Sequence, residues 1–532
     1  MQRQYKRREG VWREEITGGT ILKTDFLCRT EAPVVQTRAG KVRGFYQNGV
    51  YQFRGIRYGS AGRYMSPKPA EPWEGVKDAL VWGYTAPTPQ ESGISDDFLI
   101  SHRFWPQRED CLNLNIWTPQ LDERAAKPVM VWLHGGGYYG GSSIEIIAYD
   151  GDNLALFGDV VVVSVNHRLN HLGYFDLSSF GERYKNTGNL GMEDLVLALQ
   201  WVQKNIRAFG GDPDNVTIFG QSGGGAKVIT LMQTPAADGL FHKAIVQSGV
   251  GAGLGELPKT RYDVPIAKKM AEALSGDENN IACLETVPLA ELQKAYMDAF
   301  HSLDLSFMDL VGYGPVANDW YLGDPEEVGF TEHAKTIPLI VGTVCAEIGY
   351  RGKLPDRETL SESDTMKYLA DEYGNEHAKE IFDAYQAAYP GNAPIYALYL
   401  SNRLGSLDFC RKFAEVASAP VFNYNFALTF PFDGGTPAWH CAELPFVFHN
   451  ADKVPLCHFP GAAVVEETMS RAFVNFARKG DPSGGSVGGW PALTQETENT
   501  YVFDLHSSPR TGYDRKLLEM IAKYQKPRSY AL

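Results

Sequence analysis

Six short apolar runs limit how this chain can fold more than any other feature: LNLNIW (112–117), PVMVWLH (128–134), VVVVSVN (160–166), VTIFG (216–220), KAIVQS (243–248) and IPLIVG (337–342). Unbroken Val/Ile runs leave no polar face for water, so they suit strands of a parallel sheet covered by helices on both sides. Between the third and fourth runs, Leu195, Leu199, Val202 and Ile206 recur at helical spacing, and Gly210-Gly211 close that helix. Strand, helix, strand in this order predicts an α/β class chain with a mostly parallel central sheet flanked by helices. Upstream, residues 35–59 read as an antiparallel meander broken by Gly40, Gly44 and the Asn48-Gly49 turn.

The chain has 532 residues, long for one simple core but ordinary for one catalytic domain with large insertions. We expect an N-terminal extension of unknown role over 1–33 and a single domain over 34–532. Helical, aromatic-rich stretches at about 256–335 and 350–420 read as insertions forming a lid or pocket wall. Within the first, Tyr296, Phe300, Phe307 and Tyr313 suit a pocket wall and ordinary packing equally well. The net charge of −14 repels phosphate backbones and argues against a nucleic-acid partner. Seven cysteines lie scattered with no C-x-x-C pair, which indicates neither a zinc site nor a disulfide framework. The opening MQRQYKRREGVWREE lacks the apolar run of an export signal, and no stretch approaches the roughly 18 apolar residues of a membrane span. The expectation is a cytoplasmic protein with free thiols and no membrane anchor.

G-x-S-x-G occurs twice, as Gly220-Gln221-Ser222-Gly223-Gly224 and as Gly484-Gly485-Ser486-Val487-Gly488. Context separates them. A nucleophilic serine of this type needs a strand that stops abruptly, a strained turn, and a helix starting just behind it. Ser222 follows VTIFG and precedes the helix-compatible GGAKVITLMQ, whereas Ser486 sits in KGDPSGGSVGGWP, a flexible surface turn. After the strand PVMVWL comes His134-Gly135-Gly136-Gly137-Tyr138, which matches the HGGG-type loop that presents backbone N–H groups to an oxyanion. The expected donors are Gly136, Gly137 and Gly223.

A serine hydroxyl needs a base held by an acid, and in this type of fold the acid and then the histidine follow the serine. His242, His301, His333, His377, His440, His449, His458 and His506 all qualify by order, and spacing does not choose among them. Glu347, just past the strand IPLIVG, would sit at the carboxyl edge of the sheet, where open α/β sheets place their sites.

The blocks EDCLNLNIWTP (109–119), PVMVWLHGGGYYGGSS (128–143), VVVVSVNHRLNHLGYF (160–175), GNLGMEDLVLALQWVQKNI (188–206), FGGDPDNVTIFGQSGGG (209–225) and AIVQSG (244–249) together resemble the type B carboxylesterases, a family of α/β-hydrolase fold. That family includes cholinesterases and bacterial para-nitrobenzyl esterases. The resemblance implies Ser222 as nucleophile, Glu347 as acid, His440 as base and Ser248 as a support for the Glu–His hydrogen bonds. It also implies departures. Gln221 stands where the family often has Glu, and Gly223 where Ala is common. Cys111 matches a half-cystine whose partner position holds Thr88, so that disulfide is expected to be absent. The choline-binding tryptophan has no clear counterpart, since Trp105 is out of register.

The function this implies is hydrolysis of small to medium carboxylic esters through an acyl-enzyme. The partner is therefore a small-molecule ester. Cleavage of carbamates, amides or lactones and acyl transfer use the same machinery, and a non-catalytic binding protein is a remote alternative. No P-loop, H-E-x-x-H or helix-opening G-x-G-x-x-G is present, so no cofactor or metal is implied. The physiological substrate and the oligomeric state stay open.

Overall fold

The computed structural model describes residues 25–89, 100–253, 261–306, 309, 314–347, 360–400, 403–432 and 435–526, together with the backbone of two paired antiparallel strands, Arg3–Arg8 and Val11–Ile16. All six apolar runs are strands of one large sheet. In chain order its members are β1 (Phe26–Leu27), β2 (Phe45–Gln47), β3 (Val50–Arg57), β4 (Asn113–Thr118), β5 (Lys127–Leu133) and β6 (Val161–Val165). They continue with β7 (Gly211–Gln221), β8 (Lys243–Gln247), β9 (Leu339–Val344), β10 (Val421–Phe426), β11 (Asn499–Phe503) and β12 (Ser508–Thr511). The spatial order is β12-β11-β10-β9-β8-β7-β5-β6-β4-β3-β2-β1. From β6 to β11 every neighbouring pair is parallel. The flanks are antiparallel.

The physical cause is burial. Every residue of β4, β5, β6, β9 and β10 is buried, which only a sheet covered on both faces allows. Each valine from Val160 to Val163 is fully buried and contributes about 1.5–3 kcal/mol of apolar transfer. At the edge, Asn48 and Gly49 both take positive φ and close the β2–β3 hairpin, the backbone a two-residue turn of this hand requires. The meander is split, however. Val34–Gln36 and Lys41–Arg43 leave the large sheet and pair with Val76–Asp78 in a separate one. Two central strands lie outside the apolar runs: FNYNF within β10 and NTYVF in β11 interleave polar residues with aromatic ones.

The predicted helix is α1 (Leu190–Asn205), extended by a tighter turn and closed by Gly210 at φ 84°; Gly211 already belongs to β7. Helix α2 (Gly223–Met232) leaves the end of β7 directly. Helices α3 (Asp263–Ser275) and α4 (Leu289–His301), from the first insertion, bury Ile266, Met270, Leu292, Tyr296 and Phe300 in a second core with Tyr64 and Phe175. Tyr296 and Phe300 are thus packing residues, while Phe307 and Tyr313 lie outside the described residues. Helices α5 (Glu362–Tyr373), α6 (Asn375–Ala388) and α7 (Arg403–Val416), from the second, pack onto the main core instead. Among the described residues no helix is long and apolar enough to cross a membrane, and all seven cysteines are free.

Candidate active site

Ser222 stands at the break between β7 and α2 with φ 57° and ψ −127°. A non-glycine residue rarely adopts this backbone, and it persists here because both sides are held: Ser222 N–H donates to Gln247 O at 2.8 Å, and Ala226 N–H donates to Ser222 O at 3.0 Å. The turn is so tight that a Cβ on Gly224 would fall 2.0 Å from Leu133 O. Ser222 stands at the carboxyl edge of the sheet and is buried, with 7% of its surface exposed.

Glu347 ends the turn after β9 and is buried. Its Oε1 accepts from Val344 N–H at 3.3 Å, and its Oε2 lies 2.5 Å from His440 Nδ1. A backbone bond from His440 N–H to Glu347 O, 3.0 Å, fixes the same pair a second time. Of the eight histidines that qualify by order, His440 is the one placed against Glu347 among the described residues; His242, for comparison, accepts from the Val216 N–H far from that edge. The side chain of Gln221 joins the serine's strand to this pair. Its Nε2 lies 3.2 Å from His440 Nε2 and 3.4 Å from Nδ1, so the amide rests against the ring rather than on one lone pair.

The HGGG loop follows β5, the strand next to β7. Gly136 and Gly137 both have positive φ, 82° and 62°, so the backbone doubles back beside Ser222. Gly136 O accepts from Tyr139 and Gly140 N–H, which closes the turn. Among the described residues the N–H groups of Gly136, Gly137 and Gly223 donate to no carbonyl. Gly223 and Gly137 touch, with a Cβ on Gly223 falling 2.5 Å from Gly137 N, so the donors of loop and helix converge.

Ser248 ends β8 with its N–H on Gly342 O at 2.7 Å, but its buried Oγ has no hydrogen-bond partner among the described residues. No hydrogen-bonded link therefore runs from that hydroxyl to the Glu347–His440 pair. Ser486 lies exposed in a short turn, Gly485–Val487, beside α8 (Ala462–Lys479), its Oγ 3.5 Å from Glu467 O.

Three neighbours escaped the reading of the sequence. The Cys441 thiol donates to Gln221 Oε1 at 3.2 Å. Glu443 is fully buried and accepts from Gln247 Nε2 at 3.3 Å; burial, then the charge of Glu347, raises its carboxyl to about 7. Lys227 is fully buried in α2. The first two follow His440 in WHCAELPFVF, and proximity in sequence was the available signal. Lys227 carried none. Among the described residues no His/Cys/Asp/Glu group is arranged to hold a metal ion.

A buried acid–histidine pair beside a strained serine and a nest of free N–H groups is suited to acyl transfer. Comparison with known proteins agrees. Residues 31–521 match the model of the carboxylesterase family. The para-nitrobenzyl esterase of Bacillus subtilis (strain 168) is 35% identical over 505 residues, covering 91% of this chain and 98% of its own. The phenmedipham hydrolase of Pseudarthrobacter oxydans is 32% identical over 484 residues, covering 87% and 93%. Among solved structures, an esterase from anaerobic Clostridium hathewayi that can hydrolyze aliphatic aromatic polyesters superposes with a TM-score of 0.88 at 44% identity, covering 94% of this chain and 100% of its own. With the α/β-hydrolase sheet, the strand–serine–helix turn and this coverage together, the chain belongs to the carboxylesterase family and is a serine hydrolase of carboxylic esters.

Proposed function

We propose that Ser222, His440 and Glu347 carry out this hydrolysis as nucleophile, general base and orienting acid, with Gly136, Gly137 and Gly223 as the oxyanion donors. The observation that carries the reading is the buried 2.5 Å contact between Glu347 Oε2 and His440 Nδ1, set against the residue that precedes Ser222. With Nδ1–H given to Glu347, the Nε2 lone pair is left to act as base. Ser222 Oγ bonds to the ester carbonyl carbon while its proton passes to His440. The carbonyl electron pair moves onto oxygen, where the three N–H groups receive it. On collapse the C–O bond to the alcohol breaks and His440 returns the proton to the leaving oxygen. Water then repeats the cycle on the acyl-enzyme, releasing the acid and restoring Ser222. Glu347 holds the imidazolium through the His440 Nδ1 contact.

The substrates we infer are small to medium esters, and a cytoplasmic setting suits seven unpaired cysteines. A second reading, cleavage of aliphatic-aromatic polyesters at the same site, is favoured by the Clostridium hathewayi esterase named above, and carbamates use the same machinery. The test is turnover of p-nitrophenyl esters from acetate to decanoate, alongside a carbamate and an aliphatic-aromatic diester, by wild type and Ser222→Ala. Loss of about 10⁶-fold in the variant is expected; comparable turnover in both proteins sinks the assignment of Ser222. The best substrate decides between the readings.

A further inference from the structure

Lys227 is completely buried, which a lysine almost never is without a partner. It lies four residues after Gly223 and three before Thr230, so the three share one face of α2. That face meets the loop 134–138 at three levels. Gly223 packs on the Gly137 backbone, Lys227 Nζ donates to His134 O at 3.0 Å, and Thr230 Oγ1 lies 3.1 Å from the Tyr138 hydroxyl. The His134 carbonyl sits one residue past Leu133, the last of β5 to pair with β6 and β7, so it needs a donor from elsewhere. The ammonium lies 5.7 Å from the centre of the Tyr138 ring, within cation–π reach.

The surroundings do not favour a charge there. Burial pulls the Lys227 ammonium down to about 7, with Glu145 acting to keep it charged. The His134 and His167 rings, 4.9 Å apart, are held neutral by burial and then by the lysine's own charge. An apolar residue would fill this space at less cost, so what the lysine adds is the bond to the loop.

We propose that Lys227 is a positioning residue for ester hydrolysis: it clamps the loop of Gly136 and Gly137 to the helix that carries Gly223, and so sets the spacing of the oxyanion donors. The inference rests on the roles assigned above to Ser222 and those three glycines.

Lys227→Met keeps the apolar stem and removes the donor. Its kcat on p-nitrophenyl butyrate, corrected by active-site titration, should fall about 10- to 100-fold with KM within about twofold, as expected when pre-set groups are misplaced by a fraction of an ångström. A trifluoromethyl ketone reads the donors directly. Ser222 Oγ adds to the ketone carbon, the serine proton goes to His440, and the ketone oxygen becomes the bound oxyanion; its Ki should rise by the same factor. The melting temperature, measured alongside, checks that the fold survives loss of the bond to the buried His134 carbonyl. Wild-type kcat and Ki in Lys227→Met overturn the inference. Should that variant fail to fold, Thr230→Val loosens the same face without touching the charge. It should shift kcat and Ki the same way by about three- to tenfold, and no shift in either overturns the inference equally. Wild-type turnover that survives Ser222→Ala defeats the underlying assignment instead, whereas turnover lost in Ser222→Ala and intact in Lys227→Met defeats this inference alone.

Discussion

Replacing Gly223 by alanine would put a methyl group 2.3 Å from Gly137 O, 2.4 Å from its Cα and 2.5 Å from its nitrogen. All three are backbone atoms, so no side chain can swing aside. Ordinary contact for such a carbon begins at 3.4 Å, and the oxyanion loop or the start of α2 must yield by roughly 1 Å. That displacement separates Gly137 N–H from Gly223 N–H, two of the donors proposed for the oxyanion. Loss of one such donor costs about 10²–10³ in kcat, or about 2.7–4 kcal/mol of transition-state stabilisation. Gly223→Ala should therefore lower kcat about 100-fold, leave KM within about threefold, and weaken a trifluoromethyl ketone in parallel. Steady-state kinetics on p-nitrophenyl butyrate with inhibitor titration measures all three. Gly489→Ala is the control, because nothing lies within 4 Å of its Cβ position and its φ is ordinary. Wild-type kcat in Gly223→Ala would refute the close contact, and with it the geometric account of the donor nest. Alanine is common at this position in the family, so the outcome also tells whether this chain holds its loop unusually near the helix.

Ser486→Ala should leave kcat within twofold of wild type, since that serine lies exposed in a short turn with no strand before it and no α-helix behind it; a large loss in the same assay would mean the wrong serine has been named. Glu443→Gln tests a linkage. The unfolded chain ionises this residue near pH 4.3, but the fold keeps its proton to about 7, so wild-type stability falls as pH rises through that window, by at most about 4 kcal/mol. Urea titrations should show Glu443→Gln gaining on wild type at pH 8 and not at pH 5, and a pH-independent difference would contradict the raised pKa. Gly405→Ala, at an exposed position of α7 with open space around it, should raise stability by about 0.5–1 kcal/mol through helix propensity; a loss in thermal unfolding would show an unseen contact.

The apolar runs were legible because a buried parallel strand announces itself by composition: Val160–Val163 has no face for water. By the same rule β10 and β11 were illegible. Asn423, Asn425 and Thr500 are buried polar residues whose partners come from distant segments: Asn423 Nδ2 donates to Val341 O, Asn425 Nδ2 to the Tyr513 hydroxyl, and Thr500 Oγ1 to Asn423 Oδ1. A window of local sequence sees only an asparagine and predicts a loop. Lys227 was illegible for the same reason, since nothing beside it in sequence reveals the loop carbonyl that accepts its hydrogen bond.

What the sequence determined alone was whatever depends on neighbours along the chain: the sheet from its Val/Ile runs, the Asn48-Gly49 turn, the strand before and helix after Ser222 that Ser486 lacks, and the glycines of the HGGG loop. Tertiary structure decided whatever depends on neighbours in space. By chain order His440 was one of eight histidines, singled out only by the family resemblance, until β9 and the turn after Pro437 brought Glu347 Oε2 within 2.5 Å of its ring. Ser248 stood in the expected place, yet its hydroxyl has no partner among the described residues. Tertiary structure also placed Gly223 against Gly137 and Lys227 against His134. Hydrogen bonds and van der Waals contacts act over a few ångströms, and nothing in the residues adjacent to Lys227 or His440 encodes which distant segment the fold will bring that close.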